Sequence, residues 1–314
     1  MILITGGNGY VATHIIRQLA VKNEQVRALV RNEAQFEKVR RLGAIPLKGD
    51  VTDIASLRIA LAGVDQVIHL AAVNRNRGAS TMQAINAQGT INLVDAAKEA
   101  GVKQIVNVVG LGADAKKPYP LAQTQGVGVD YLIRSGVPYT VLEASVIFGQ
   151  GDEFINTLAG LARIPPVMIV PGDGKSKFQP IAVQDVATCT IRSLGNPAAL
   201  NKRLQICGAE VLTLENIIDA ILAELKLKRL KVHMPVGILK VAVLVMDKTL
   251  PKPPITPSLL AQLGVDNVAT TATANTTESV FGVKAQNLRN GISYVRDMTL
   301  GTLIKRSFGA ARYR

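Results

Sequence analysis

The chain has 314 residues, of which 48% are hydrophobic and 19% charged, and this balance supports a globular protein of one large or two closely joined units. Its two cysteines, Cys189 and Cys207, lie in apolar stretches without metal-ligand spacing, which favours buried thiols over a disulfide and indicates a reducing compartment. No charged segment with an apolar stretch and a cleavage site precedes the first strand, which argues against export. We therefore expect a cytoplasmic protein.

Positive charge is concentrated in the last third of the chain. The sequence carries 36 Lys and Arg against 23 Asp and Glu, a net charge of +13, and residues 226–314 account for +10 of it. Such a field serves nucleic acid, anionic lipid or an acidic protein partner, or simply keeps a surface solvated. Aromatic residues are 4% of the chain and are not interleaved with the basic ones, and no duplex-reading motif is present, so no nucleic-acid partner is expected.

The N-terminal segment has the pattern of a dinucleotide-binding turn. The apolar run Ile2-Leu3-Ile4 predicts a buried strand, and the amphipathic stretch Tyr10–Val21 predicts a helix directly after a glycine-rich turn. Gly6 permits the tight bend, Gly9 lets the backbone approach a pyrophosphate, and Ala12 allows close packing of helix on strand. The positive end of the helix then faces the phosphates.

Strand and helix patterns continue to alternate, as a parallel sheet requires. Asp53 is predicted to cap one helix at its N-terminus, and Gly101 to end another. The expected fold class is α/β, a doubly wound parallel Rossmann sheet with its ligand crevice at the carboxyl ends of the strands. Further strands are predicted at Gln25–Val30, Ala44–Leu47, Asp65–Leu70, Lys103–Val109 and Val137–Leu142, with helices at Glu33–Leu42, from Asp53 to Leu61, and at Thr81–Ala100.

After about Gly149 the segments become shorter and richer in Pro and Gly, which predicts a smaller C-terminal α/β lobe. We expect a nucleotide-binding core at 1–149, completed by segments from the second half, and a smaller lobe with a basic tail at 150–314. Thr270–Thr277 is the best candidate for a mobile loop. Helices are predicted at Val183–Leu194 and Leu214–Leu225, and short strands at Arg203–Cys207 and Leu230–Val232.

The end of the second strand indicates which nucleotide is bound. NAD-dependent enzymes usually place an acidic residue there to accept hydrogen bonds from the ribose hydroxyls, whereas this chain has Arg31. A guanidinium binds a 2′-phosphate through two parallel hydrogen bonds, so the sequence favours NADP(H) over NAD(H); the alternative is a solvated arginine that opens the next helix. Asp50 and Val51 are placed to meet the adenine, and Leu70-Ala71-Ala72 offers small residues against the cofactor's backbone.

Several longer motifs are spread along the chain. The most specific of them is 250–257 (LPKPPITP), which is followed by Asp266-Asn267-Val268. The others are Thr5–Val11 (TGGNGYV), Gly49–Asp53 (GDVTD), His69–Ala72 (HLAA), Asn86–Thr90 (NAQGT), Ser145–Gly149 (SVIFG), Pro171–Gly174 (PGDG), Phe178–Pro180 (FQP) and Val183–Ala187 (VQDVA). Over nearly its whole length the sequence resembles the atypical short-chain dehydrogenases, in the branch related to the nucleotide-binding accessory subunit of respiratory complex I.

The resemblance implies a nucleotide site, and it also implies which chemistry to look for. The residues expected to hold the nucleotide are Thr5, Gly6, Gly7, Asn8, Gly9, Tyr10, Val11, Arg31, Asp50, Val51, Leu70, Ala71, Ala72, Asn86, Val108 and Gln125.

Hydride chemistry in this family uses a Ser or Thr at the end of the fifth strand and a Tyr and a Lys four residues apart on the next helix. The lysine lowers the pKa of the phenol, which then donates a proton to the substrate oxygen held by the hydroxyl. On this chain those positions fall on Val109 or Gly110, on Leu121 and on Gln125, so all three groups are missing. The family's Arg-Pro-Ser is replaced by Glu143-Ala144-Ser145.

Tyr119 is the remaining catalytic candidate, since it lies two residues before Leu121 and a shifted loop would present its hydroxyl to the crevice. No lysine follows it at the required spacing, and Lys116 and Lys117 precede it where helical geometry does not bring them alongside. We interpret Tyr119 as a solvent-facing or capping residue. No metal site is expected either, because the three histidines, His14, His69 and His233, lie on separate elements without a ligand pattern.

Two C-terminal segments combine apolar residues with basic ends. Val236–Met246 is apolar except for Lys240, and Met298–Arg314 repeats the theme. Eleven residues do not span a bilayer, so the first segment lies in the headgroup region, packs on a hydrophobic partner, or is a buried helix of the lobe.

Two functions are consistent with these patterns. The first is a non-catalytic or weakly catalytic NADPH-binding protein whose residues 226–314 dock on an anionic membrane surface or a membrane-bound complex, on the inner face of a membrane. The resemblance points to respiratory complex I. The second is an NADP-dependent oxidoreductase or epimerase acting on a small or quinone-like substrate.

Overall fold

The computed structural model describes residues 1–249, 255, 257–271, 274–297, 299 and 301. The chain divides into two compact units. Unit 1 comprises Met1–Ala144, Val183–Ile206 and Ala269–Lys284, and unit 2 comprises Ser145–Ala182, Cys207–Val268 and the chain from Ala285 onward. Most of the motif 250–257 and most of the basic segment Met298–Arg314 lie outside the described residues.

Strands and helices alternate through the first half of the chain. The strands are β1 (Ile2–Thr5), β2 (Val26–Val30), β3 (Ile45–Lys48), β4 (Gln66–His69), β5 (Gln104–Gly110), β6 (Tyr139–Ala144), β7 (Ile147–Phe148), β8 (Val167–Pro171), β9 (Lys177–Phe178), β10 (Ile181–Ala182), β11 (Lys202–Ile206), β12 (Leu212–Thr213) and β13 (Leu230–Met234). The helices are α1 (Tyr10–Val21), α2 (Phe36–Arg41), α3 (Ile54–Leu61), α4 (Gly89–Glu99), α5 (Pro120–Arg134), α6 (Phe154–Ala162), α7 (Val183–Arg192), α8 (Leu214–Glu224), α9 (Val236–Thr249), α10 (Pro257–Leu263) and α11 (Leu288–Gly291).

Unit 1 is built on a seven-stranded sheet with the order β11-β6-β5-β4-β1-β2-β3, and every pairing in it is parallel. The order reverses between β1 and β4, which is the switch point of a doubly wound fold and the place where such sheets bind ligands. At this point Ile4 of β1 lies beside Ala28 of β2 on one side and Ile68 of β4 on the other. The predicted α/β class with a parallel Rossmann sheet is confirmed.

Helices cover both faces of this sheet. Successive residues of a strand point to opposite faces, so neighbouring residues of β1 pack in different cores. Leu3 of β1 packs in a core with Leu57 of α3 and Leu93 of α4. Its neighbour Ile4 packs in the opposite core, with Ile15 of α1. Side chains on both faces of β1 are therefore buried, which explains why its first three residues, Ile2-Leu3-Ile4, are apolar.

The predicted boundaries in unit 1 hold within a few residues, with one local exception. Asp53 caps α3, since its carboxylate accepts from the Ala55 N–H at 3.0 Å, and Gly101 follows α4 with φ of 70°. The helix predicted at Thr81–Ala100 is instead a π-helical turn at Gln83–Gln88 that leads into α4. Such a turn is a departure from the 3.6-residue period on which the prediction depended, and it is common at functional sites.

Unit 2 has a core of its own. Phe148 and Phe178 are fully buried in it, with Ile155 of α6 and Leu214 of α8. Three two-stranded sheets surround this core: β7 with β10 and β8 with β13 are parallel, and β9 with β12 is antiparallel. Neither α6 nor β8 was predicted, since the sequence there shows neither period clearly.

The described flanks of the predicted loop Thr270–Thr277 are tied to β11. The Thr270 N–H donates to the Gln205 side-chain oxygen at 2.9 Å, and the Thr276 N–H donates to the Gln205 carbonyl at 2.8 Å.

Both cysteines are buried as expected, and burial together with Asp185 raises the pKa of the Cys189 thiol to about 12. Among the described residues no helix is long and apolar enough to cross a membrane.

Candidate nucleotide-binding site

The glycine turn joins β1 to α1 and is held by its own backbone. The Gly9 N–H donates to the Gly6 carbonyl at 2.8 Å, and the Gly7 N–H donates to the Leu29 carbonyl of β2 at 3.1 Å. Gly9 occupies the N-cap of α1, where a glycine brings no side chain to the first N–H groups of the helix. Those N–H groups and the helix dipole are therefore available to an anion, as a pyrophosphate requires.

Two glycines of this turn have no room for a side chain. Gly6 has φ of 68°, in the left-handed region, and a Cβ added there would lie 3.0 Å from the backbone of Ala71. A Cβ on Gly7 would lie 2.6 Å from the Cβ of Ala28. The turn thus packs directly on β2 and on the segment that follows β4, which leaves its other side open to a ligand.

Beneath the turn, a buried chain of hydrogen bonds connects β1, β4 and α4. The Thr5 hydroxyl lies 2.7 Å from His69 Nδ1, and His69 Nε2 lies 2.9 Å from Thr90 Oγ1, which donates to the Asn86 carbonyl. Since the Thr90 proton is used there, His69 Nε2 is the donor and Nδ1 accepts from Thr5. Burial lowers the pKa of His69 to about 4, so the ring is neutral at pH 7 and its role is to fix these elements.

Arg31 and Lys38 lie around the turn and the end of β2. Arg31 is exposed and donates from Nη1 to the Ser80 hydroxyl at 3.0 Å. Lys38 of α2 donates to the Asn8 carbonyl at 3.1 Å, and burial and the nearby Arg17 lower its pKa.

The Asn8 side chain itself provides a test of whether a nucleotide fits this turn. Its Oδ1 is buried and has no hydrogen-bond partner within the described part of the chain. Buried polar atoms are normally paired, and an amide offers either a donor or an acceptor depending on its orientation. A ribose hydroxyl would donate to Oδ1, or, with the amide turned over, Nδ2 at the same place would donate to a phosphate oxygen. The residues of the turn therefore fit a bound dinucleotide.

Asp50 and Val51 follow β3, where adenine contacts were predicted. The Asp50 carboxylate accepts from the backbone N–H and the hydroxyl of Thr52, both at 2.9 Å. Val51 is buried, and its side chain fills the space beside Gly89 of α4. Both side chains are engaged in shaping the loop, so their contact with adenine stays a prediction.

Five of the predicted residues meet at one narrow cavity beyond the switch point. The Asn86 amide holds the segment after β4, because its Oδ1 accepts from the Val73 N–H at 2.8 Å and its Nδ2 donates to the Val73 carbonyl at 2.9 Å. The sequence had suggested no such role for this side chain. The predicted residues that line the cavity are Ala71, Ala72, Asn86, Val108 and Gln125.

Two of the positions aligned with the family's hydride chemistry are in contact, and a third lies on the same helix. Leu121 and Gln125 lie four residues apart on α5 and therefore share one face of the helix. Gln125 Oε1 accepts from the Gly110 N–H at the end of β5, at 3.1 Å. Tyr119 is the N-cap residue of α5 and is 37% exposed. These residues therefore do not provide the family's pair of a tyrosine and a lysine.

Glu143 is a buried acidic residue near the carboxyl end of β6. It forms an ion pair with Arg203 of β11, and Arg203 also donates to the Ala113 carbonyl in the loop after β5. Burial raises the pKa of Glu143, and the Arg203 guanidinium offsets part of this effect. The pair fastens the loop after β5 to β6 and β11, which gives Glu143 a structural role.

Residues 6–197 match the sequence model of a family described as NAD(P)H-binding. The chain belongs to this NAD(P)H-binding, extended short-chain dehydrogenase-like family. The fold, the glycine turn and the unpaired Asn8 amide oxygen agree with that membership.

Relatives within the family have diverse names. "NADH dehydrogenase [ubiquinone] 1 alpha subcomplex subunit 9, mitochondrial" of Dictyostelium discoideum is 26% identical over 225 residues, which cover 70% of this chain and 62% of that protein. The alignment therefore spans less than two thirds of that relative. The "NAD(P)H azoreductase" of Xenophilus azovorans is 27% identical over 217 residues, 68% of this chain and 70% of that protein.

Solved structures of low sequence identity share the fold. The NADPH-dependent quinone oxidoreductase QOR2 of Escherichia coli, crystallised with NADPH, superposes with a TM-score of 0.75 at 22% identity, over 94% of this chain and 99% of that one. At this identity the likeness establishes the architecture.

Three contributors to the site were not found from the sequence. Lys38 reaches the glycine turn only because α2 packs beside it, 30 residues further along the chain. Ser80 and Arg203 likewise meet Arg31 and Glu143 across long separations.

Proposed function

We propose that this protein binds NADPH without carrying out the family's usual hydride transfer, and that it serves as an accessory or assembly subunit of a membrane-bound complex, such as respiratory complex I. The nucleotide is retained as a structural or sensing ligand. Its location would be the cytoplasmic side of a membrane, with peripheral attachment.

The observation that carries this proposal is the pairing of Gln125 with Gly110. Where the family places a lysine, Gln125 carries no charge and its oxygen is engaged by the backbone of β5. Leu121 at the tyrosine position has no proton to donate, and neither Val109 nor Gly110 has a hydroxyl to hold a substrate oxygen. Bound NADPH supplies a hydride, but a carbonyl also needs a proton at its oxygen, and these residues do not provide one.

The preference for NADPH is supported by the charges around the glycine turn. Arg31 is exposed at the end of β2, and within the described residues its one hydrogen bond, to Ser80, leaves most N–H groups of the guanidinium available. Lys38 adds a second cation at Asn8. No acidic side chain stands at the Arg31 position to repel a 2′-phosphate.

The accessory role is supported by two observations on different levels. One relative is named as a subunit of NADH dehydrogenase, and the excess of basic residues in this chain is concentrated after residue 225. A basic surface favours association with an anionic membrane or an acidic partner.

Nucleotide retention and turnover provide the test. Protein purified without added cofactor is expected to carry NADPH, identified by mass spectrometry, and to leave it unoxidised against a broad panel of carbonyls and quinones. Oxidation of NADPH by any substrate of the panel at enzymatic rates, roughly 1 s⁻¹ or faster, contradicts the proposal.

The second candidate is an NADP-dependent reductase or epimerase for a small or quinone-like substrate. It is favoured by the exposed hydroxyl-bearing Tyr119 at the start of α5 and by relatives named as an azoreductase and a quinone oxidoreductase. Turnover that is abolished by Tyr119→Phe, and retained in Tyr139→Phe, would replace the first proposal with this one.

A further inference from the structure

Helix α9 of unit 2 has one buried face and one exposed face, and both are apolar. Leu239 and Val243 are 8% and 1% exposed and pack against Leu260 of α10. These residues account for the attachment of α9 to its own unit. They also show that the helix is only half covered within the described residues.

The other face of α9 consists of aliphatic side chains in contact with solvent. Ile238 is 60% exposed, Val241 65%, Leu244 51% and Val245 57%. At about 100° per residue these four side chains form one continuous strip along the helix. Isolated exposed apolar residues are ordinary on protein surfaces, but a contiguous strip marks a surface that is normally covered.

The composition around this strip favours lipid as its cover over protein. Protein interfaces are enriched in aromatic residues, Met and Arg and depleted of Lys, whereas the four exposed side chains are aliphatic and Lys240, also exposed, stands at the edge of the strip. Residues 226–249 contain six basic side chains and one acidic one. Aliphatic side chains facing one way with lysines at their border are typical of helices that lie in an anionic membrane surface.

We infer that α9 binds an anionic lipid bilayer by laying Ile238, Val241, Leu244 and Val245 among the acyl chains at the headgroup boundary, with Lys240 directed to lipid phosphates. At 14 residues the helix lies in the surface plane and does not cross it. This inference rests on the proposed membrane-bound role and names the surface that performs it.

The test is vesicle flotation of the full-length protein. Vesicles of phosphatidylcholine and phosphatidylglycerol in equal parts are compared with vesicles of phosphatidylcholine alone, at low and at raised salt. Binding is expected to the anionic vesicles, weakened by salt. Val241→Glu with Val245→Glu is expected to lower the bound fraction by about tenfold or more, since two charges would enter the apolar layer.

A matched control separates this effect from a general effect of added charge. Ile59→Glu changes a residue of α3 that is 67% exposed, close to the exposure of Val241, but lies in unit 1. It is expected to bind vesicles nearly as the unchanged protein does. NADPH titration and circular dichroism of each variant verify that it is folded, and Lys240→Glu is a second variant that weakens binding without altering the apolar strip.

Two results would overturn the inference. One is no flotation with anionic vesicles at low salt, and the other is unchanged flotation of the Val241→Glu, Val245→Glu variant. The unchanged protein could fail to bind protein-free vesicles and yet sediment with native membranes. If the Val241→Glu, Val245→Glu variant then does not sediment with native membranes, α9 binds a protein instead. NADPH retention and turnover are measured in a separate assay. A negative flotation result therefore does not decide the proposed nucleotide function.

Discussion

Gln125 on α5 accepts a hydrogen bond from the backbone N–H of Gly110 at the end of β5, at 3.1 Å. In the alignment with the short-chain dehydrogenases, Gln125 falls at the lysine position, and Gly110 is one of two candidates, with Val109, for the hydroxyl position. In this chain the contact joins helix to strand, so that a part of the fold otherwise devoted to chemistry contributes to stability.

Replacing Gln125 by Met removes this hydrogen bond while keeping the length of the side chain. We expect the free energy of unfolding to fall by about 0.5–1.5 kcal/mol, the usual contribution of one such bond. Urea denaturation measures it. Gln123→Met, at an exposed position of the same helix, is the control and should change stability little. Equal losses in both variants would mean that the bond to Gly110 contributes nothing.

Gly6→Ala should weaken nucleotide binding, and Gly63→Ala should not. Both glycines have a positive φ, 68° and 70°, but a Cβ on Gly6 would press on Ala71 whereas nothing lies within 4 Å at Gly63. Each substitution costs on the order of 1 kcal/mol of backbone strain. Only Gly6→Ala is expected to reduce NADPH affinity, by about tenfold or more as the turn shifts. Fluorescence titration checks this, and equal NADPH affinity in the two variants would contradict it.

Arg31→Ala should abolish the preference for NADPH. Loss of a charge-assisted pair with the 2′-phosphate is expected to weaken NADPH binding by about 10- to 100-fold and to leave NADH binding nearly unchanged. Arg134→Ala, which removes an exposed cation from the last turn of α5, is the control. Equal affinities for NADPH and NADH in the unchanged protein would refute the phosphate interpretation.

Asp152 in unit 2 should make stability depend on pH. Its carboxylate is 1% exposed, and burial raises its pKa to about 6 even though Tyr294 and the N–H groups of Asn156, Gly149 and Ile155 hydrogen-bond to it. Because the folded chain holds this proton more tightly than the unfolded chain, its contribution is complete below about pH 4 and is lost as the pH rises through 6.

The size of this effect follows from the shift in pKa. About two units correspond to roughly 3 kcal/mol in the free energy of unfolding. The difference in stability between the unchanged protein and Asp152→Asn should decrease by about this amount, on the order of 3 kcal/mol, from pH 4 to pH 7. Buried His69 acts in the opposite direction in the same range, and comparing the two proteins cancels it. A difference that does not vary with pH would show that Asp152 remains ionised in the folded chain.

The sequence contained enough to predict the nucleotide-binding half of the molecule, because its signals are local. The turn from Thr5 to Ala12 and the cap at Asp53 each depend on a few adjacent residues, and the structure places them as expected. What could not be predicted depends on contacts between distant residues. Lys38 at Asn8, the Asn86 amide on Val73, and the pairing of β13 with β8 are fixed by packing, which leaves no periodic trace in the sequence.

The position of β11 has a consequence for how the protein is made. This strand covers the β6 edge of the seven-stranded sheet, yet it is residues 202–206 of the chain, about 60 residues after β6. During synthesis the other six strands of this sheet, β1 to β6, are therefore complete before β11 is made, and the apolar edge of β6 is unpaired. Over the same interval Glu143 has no Arg203 to pair with. Because exposed strand edges pair readily with other chains, we expect nascent chains shorter than about 206 residues to need a chaperone and full-length chains to be released from it.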